Sequence, residues 1–210
     1  MSDRTDPSIG LAPSPGAAND QPPNDSCFEL DGFDDHSVPC LSTREGFFAL
    51  ASAPHTVATA ELLVKRGGKV ADAVIAAAVP GGTLAITRPF GNGFPVEDAE
   101  GRDVLLFAAG SAIGPIRALV LHLAFHRNRF ARVTLFYGQR HGAEFAYRAE
   151  HLDWERRGIR VVLCPSGEDD ASLGLRGRVQ EVARSLAFGG ASPGDAVAFV
   201  AGMTAMVEDV

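Results

Sequence analysis

Val104-Leu105-Leu106-Phe107-Ala108-Ala109-Gly110-Ser111-Ala112-Ile113-Gly114-Pro115-Ile116-Arg117 is the stretch that decides the fold. Val104 to Phe107 is apolar without alternation, the pattern of a strand buried on both faces of a parallel sheet. Gly110 lets the chain turn tightly and brings backbone N–H groups close to an anion. Pro115 suits the first turn of a helix, where its missing N–H costs nothing, and Arg117 adds positive charge beside the positive end of the helix dipole. A strand, a glycine turn and a helix start in this order predict a pyrophosphate-binding loop. The same residues also suit an ordinary strand-to-helix turn, and only the rest of the chain separates the two readings.

Downstream, Ala131 to Tyr137 (ARVTLFY) is a second strand-like run, closed by Gly138-Gln139-Arg140 and followed by a helix-compatible stretch from Ala143 to Arg157. Ile159 to Cys164 predicts a third strand and Ala196 to Val200 a fourth, which ends at Ala201-Gly202-Met203-Thr204 before another helical start. Strands alternating with helices imply a parallel sheet with right-handed crossovers, and such sheets bind ligands at the carboxyl ends of their strands. Three strand-end loops then point at one crevice.

Upstream the pattern changes. Phe48, Leu50, Leu62, Val64, Leu84 and Ile86 alternate with smaller or polar residues, as half-buried strands do. Before them, residues 1–26 are rich in Pro, Ser, Asp, Asn and Gly without hydrophobic periodicity and are expected to be a disordered acidic tail. The net charge of −7 sits entirely before residue 37, where eight acids face one base, so the remainder is balanced. Such an arm repels phosphates and argues against nucleic acid as a partner; a solubilising role suffices for it.

With 210 residues and 46% hydrophobic content the chain can bury a core without staples. Cys27, Cys40 and Cys164 lie far apart, so neither a disulfide framework nor a metal-ligand pair is indicated, and Cys164, ending a strand, reads as core. His122 and His126 have a zinc-compatible spacing but no adjacent Glu and no third ligand, and Asp34-Asp35-His36 lies in a turn-rich acidic stretch, so no metal site is expected. Glu168, Asp169 and Asp170 read as solvating a loop, and no nucleophile, base and orienting group can be assembled into a catalytic set. No run approaches the roughly 18 uninterrupted apolar residues of a membrane helix, and the N-terminus lacks the basic and then apolar sections of a secretory signal. No membrane insertion and a cytoplasmic location are expected.

Taken together, Gly110-Ser111-Ala112-Ile113-Gly114-Pro115-Ile116-Arg117, Phe136-Tyr137-Gly138-Gln139-Arg140, Trp154-Glu155, Gly174 to Gln180 and Ala201 to Met206 resemble, in this order, the nucleotide-binding motifs of the ferredoxin-NADP reductase-like flavin oxidoreductases. Ala112 replaces the family's usual second glycine, Arg178 a tyrosine and Ala201 a frequent cysteine. The likeness extends weakly upstream. Gly46 to Pro54 resembles the flavin-binding strand R-x-Y-S-I-A-S-x-P, Glu61 to Arg66 the next strand, and Gly68-Lys69-Val70-Ala71 the phosphate-binding helix start. Thr83 to Thr87 and Arg88 to Phe94 resemble the last barrel strand and its turn. Here Gly46 stands for the arginine that pairs with the flavin pyrophosphate, Phe48 for tyrosine, and Ala49 and Ala71 for serines.

The resemblance implies a truncated antiparallel β-barrel over residues 27–100, flavin-binding-like, followed by an α/β NAD(P)-binding domain with a parallel sheet over 101–210. It implies a flavin-dependent NAD(P)H oxidoreductase, or electron-transfer subunit, in which hydride passes between nicotinamide and FAD and no side chain need act as acid or base. Gly110, Ser111, Ala112, Ile113, Pro115 and Arg117 would hold the pyrophosphate, Gly138 and Arg140 the adenosine end, and Gly202, Met203 and Thr204 the nicotinamide region. Phe48, Ala49, Leu50 and Ser52 would lie along the flavin, and Gly68, Lys69, Val70 and Ala71 at its phosphates. Arg140 would meet a 2′-phosphate or stack on adenine, so NADH and NADPH both remain open. Only residues 27–45 are available for the barrel's first strands, which leaves an edge for an electron-acceptor protein or partner subunit to cover. The alternative is a non-catalytic NAD(P)-binding or scaffolding relative that has lost the flavin, its barrel kept only for packing.

Overall fold

The computed structural model describes residues 46–53, 55, 59–87, 91–167, 175–186 and 195–210. The expectations for the tail, for Cys27, Cys40 and Asp34-Asp35-His36, for Arg88 to Phe90 and for Glu168 to Gly174 fall outside the described residues.

The apolar runs form four parallel strands, β1 (Asp103–Ala109), β2 (Val133–Gln139), β3 (Ile159–Pro165) and β4 (Ala196–Ala201), in the spatial order β3-β2-β1-β4. The helices are α1 (Lys69–Ala77), α2 (Ile113–Phe125), α3 (Arg148–Arg156), α4 (Val179–Leu186) and α5 (Thr204–Asp209). Side chains alternate across a strand, so the sheet has two apolar faces. Val104, Leu106, Ala108, Leu135 and Tyr137 pack under Ile116 and Val120 of α2 and Trp154 of α3. Phe107, Phe136 and Val162 face the other way, against Val179, Val182 and Ala183 of α4 and Met206 of α5. Sequence order reverses between β1 and β4, which makes the carboxyl ends of these two strands the switch point where such sheets open a ligand crevice.

The strand ends shift by one or two residues from the sequence reading, and at two boundaries the shift has a structural reason. Gly138 does not close β2, since pairing with β3 continues through Gln139; a methyl group at Gly138 would overlap Val179 Cγ2, so the bare backbone is what admits α4. The helix expected from Ala143 begins instead at Arg148. Gly142–Glu144 forms a 3-10 turn whose ends are tied by reciprocal bonds of His141 and Glu144, and Tyr147 then adopts φ 57, a left-handed conformation that interrupts any helix.

Of the barrel strands expected upstream, the described residues contain one antiparallel bridge, Leu50 with Leu62. The Ala51 N–H donates to the Glu61 carbonyl at 2.7 Å and the Glu61 N–H to Ser52 Oγ at 3.2 Å. This segment lies along α2. Ala51 is fully buried, and Gly114 approaches Leu63 and Ala51 so closely that an added Cβ would sit 3.4 and 3.8 Å from theirs. Further along, His55 stacks on Phe125 with ring centroids 4.4 Å apart.

His122 and His126, one helical turn apart, sit with rings 4.7 Å from each other, and His55 lies 6.3 Å from His122. No group of three His, Cys, Asp or Glu residues among those described is arranged to hold a metal ion. Burial first, and then His126, His55 and Arg129, hold the His122 imidazole below its ordinary 6.5, with Glu97 opposing. Because the unfolded chain takes up this proton more readily, the contribution of His122 to stability is complete above pH 6.5 and is lost as pH falls through 6.5 toward the lower folded value. Thermal unfolding at pH 7.5 and pH 5 should show a lower melting temperature in acid. His122→Gln should reduce that drop without abolishing it, since burial also depresses His151; an unchanged drop would remove His122 as its source.

Candidate functional site

The parallel register brings the ends of the strands level. Ala109 of β1 pairs with Gly138 of β2, Gly138 with Cys164 of β3, and Ala108 with Ala201 of β4. The loops that leave these positions, Gly110 to Ala112, Arg140-His141 and Gly202-Met203, therefore share one edge of the sheet around the switch point.

Gly110 has φ 61, which is why a glycine follows the strand, and Gly110–Ala112 makes one 3-10 turn that runs directly into α2. No side chain caps this helix start, and with Pro115 lacking an N–H and the Ile113 N–H bonded back to the turn, the backbone of the Gly110 turn at the head of α2 is the candidate place for an anion. Ser111 is exposed and Ala112 and Pro115 are half-buried at the rim. Ile113 departs from the expectation: its side chain is core and its N–H returns to the carbonyls of Gly110 and Ser111. Arg140 is exposed at the end of β2, and its carbonyl accepts the Gly167 N–H at 2.7 Å. Met203 is 71% exposed and precedes Thr204, the first residue of α5, while Gly202 lies against Met206 and Ala109. Cys164 is buried beneath the edge with its thiol pushed up to about 12 by burial, so it is protonated and inert.

Arg117 sits elsewhere than the loop. It is 9% exposed, and its Nε and Nη2 donate to the two carboxylate oxygens of Glu150 at 2.8 and 3.0 Å. Nη1 donates to the Ala51 carbonyl at 2.8 Å and to Glu61, and the guanidinium lies 4.6 Å over the Tyr147 ring. Burial opposes its charge, but the bonds to Glu150 and Glu61 outweigh that and raise its pKa. One cation facing two carboxylates leaves a net charge of −1 at this point. Glu61, Glu150 and Tyr147 carry no motif, and nothing in the sequence paired them with Arg117.

The residues expected along a flavin are less convergent. Phe48 and Ser52 are half-buried, Ala49 and Leu50 exposed, and the Ser52 hydroxyl already accepts the Glu61 N–H. Gly68 caps α1 in extended geometry without a side-chain bond, followed by exposed Lys69 and half-buried Val70 and Ala71. Gly46 packs on Val70 so tightly that a Cβ would lie 2.6 Å from Val70 Cγ1. A side chain at the position that resembles the family's arginine would have to displace Val70.

Residues 106–210 match the profile of the oxidoreductase NAD-binding domain. The chain belongs to this family. It is related to the ferredoxin-NADP reductase-like FAD/NAD(P)-binding oxidoreductases. Among curated relatives, the Pyrococcus furiosus sulfhydrogenase 1 subunit gamma is 29% identical over 137 residues, 63% of this chain and 46% of that protein. The Bacillus caldolyticus dihydroorotate dehydrogenase B (NAD(+)) electron transfer subunit is 30% identical over 143 residues, 67% and 51%. The chain spans about half the length of these relatives. Among solved structures, a Neisseria gonorrhoeae ferredoxin NADP+ reductase with bound FAD and NADP has a TM-score of 0.63 at 20% identity, covering 77% of this chain and 68% of that one. An Amycolatopsis cytochrome P450 reductase has a TM-score of 0.59 at 23% identity, covering 81% and 52%. At these identities the structures show a shared fold.

Proposed function

We propose that this chain is an electron-transfer subunit that binds NAD(P)H at the β1–β4 switch point and passes hydride between nicotinamide and FAD. The observation that carries this reading is the left-handed Gly110 turn running into uncapped α2, flanked by the level loops at Arg140 and Gly202. That donor set suits a dinucleotide: backbone amides for the pyrophosphate, exposed Arg140 for the adenosine end, and exposed Met203 and Thr204 beside the nicotinamide region. FAD, when bound, supplies the two-electron acceptor. Lys69 and the first amides of α1 fit its phosphates, while Phe48 to Leu50 offer an apolar strand to its ring. Likeness to electron-transfer and gamma subunits supports a partner subunit that completes the site.

A second reading, a nucleotide-binding relative without flavin, is favoured by one observation, the packing of Gly46 on Val70 where the family carries an arginine. An absorption spectrum from about 300 to 550 nm, before and after anaerobic NADPH or NADH, separates the two. Paired flavin bands that bleach are the expected result, and the coenzyme that bleaches them faster is the physiological one. A featureless spectrum that persists with added FAD and with the partner subunit would leave the second reading.

A further inference from the structure

We propose that Arg117 is an interlobe clasp: it fixes Ala51 and Glu61 of the N-terminal segment onto α2 and α3 and so sets how that lobe faces the nucleotide crevice, without itself touching the nucleotide. The consequence for hydride transfer rests on the oxidoreductase reading above; the clasp itself does not.

Three chain segments far apart in sequence converge on one guanidinium. The Ala51 carbonyl and Glu61 come from the N-terminal segment, and Glu150 from α3; Arg117 belongs to α2, the helix that starts at the phosphate-type loop. A planar fork is needed for this, because four acceptors in different directions are met at once, two of them by a bidentate pair. Tyr147, which the guanidinium covers, is the described non-glycine residue with positive φ, and strain of that kind persists only where the surroundings impose it. The far end of the same contact is closed by His55 on Phe125, so Arg117 anchors the end that lies nearest the crevice. Two carboxylates around one cation also make this a poor place for a pyrophosphate. The dinucleotide charge is left to the amides of the Gly110 turn.

A hydride donor and acceptor react only when held within about 3–3.5 Å in aligned geometry, and a displacement of about 1 Å can cost 100-fold in rate. Loosening the clasp therefore lowers the rate of transfer while leaving nucleotide affinity alone, which makes Arg117 a positioning residue.

The test compares the full chain with Arg117→Met, Arg117→Lys and Glu61→Gln by hydrogen exchange, NADPH and NADH affinity, and single-turnover flavin reduction. Arg117→Met should raise exchange over residues 49–53 and 59–63 at least tenfold, leave both nucleotide affinities within about threefold of wild type, and slow flavin reduction at least tenfold at saturating nucleotide. Arg117→Lys, which keeps the charge but not the fork, should restore part of both effects. Glu61 is half exposed, so Glu61→Gln folds even if Arg117→Met does not, and it should move exchange and rate in the same direction by a smaller factor. Tenfold weaker nucleotide binding with unchanged exchange would overturn the proposal and return Arg117 to the phosphates. Looser exchange with an unchanged rate would overturn the positioning role. Wild-type protein without flavin bands fails the oxidoreductase reading alone, and exchange with affinity then decides the clasp.

Discussion

Ser111→Glu should weaken NAD(P)H binding by roughly ten- to 100-fold while leaving the fold as stable as before or slightly more so. Ser111 is exposed in the single 3-10 turn between β1 and α2, so the longer side chain meets no packing obstacle. A carboxylate about 5 Å from a phosphate charge costs about 1 to 3 kcal/mol at the effective dielectric of a surface site, and each 1.4 kcal/mol or so is tenfold in Kd. The same negative charge beside the start of α2 is favourable to the helix dipole. Affinity and melting temperature should therefore move in opposite directions, a signature that general misfolding cannot produce. Titration calorimetry with NADPH and NADH, paired with thermal unfolding, checks both, and Ser111→Ala should leave affinity within about twofold because the amides remain. Unchanged affinity in Ser111→Glu would mean that the nucleotide phosphates lie elsewhere.

The Gly110 turn was legible because its signals are local. Val104 to Phe107 is apolar on both faces because a central parallel strand must be, and the residue after such a strand turns with positive φ most cheaply as glycine. Arg117 was not legible in the same way. Its spacing from the turn fits an anion site, but Glu61 and Glu150, 56 and 33 residues distant in sequence, take its donors. A pairing of that kind exists only in three dimensions. Gly138 reads in the sequence as closing β2, yet the strand runs through it to Gln139, and the absence of a side chain there answers to the approach of Val179, again a tertiary constraint. Tyr147 lacks the residue type that announces a left-handed turn, so α3 begins five residues later than its composition predicts. Upstream, the lost polar residues were visible in the sequence. That Val70 occupies the space beside Gly46 was not.

Trp154→Ala should remove about 3 to 5 kcal/mol of stability, the cost of deleting a large buried aromatic side chain together with the cavity it leaves. Trp154 is 1% exposed on α3 and sits in the larger core cluster with Tyr137, Phe145 and Ile159, its ring 5.1 Å from that of His151. A domain of this size is stable by only about 5 to 15 kcal/mol in all, so the variant stands close to the folding threshold. With a slope of about 2 kcal/mol/M, the urea midpoint should fall by roughly 2 M. Circular dichroism must be the probe, since Trp154 is the one tryptophan in the chain and its fluorescence goes with it. The loss should not stay in the core. Trp154 lies one turn after Glu150 on the same helix, so a helix that settles into the cavity carries Glu150 away from Arg117. Exchange over residues 49–53 and 59–63 should then rise in Trp154→Ala as well, below the denaturation midpoint, whereas a stability loss with normal exchange there would show that α3 holds the clasp from its exposed face alone.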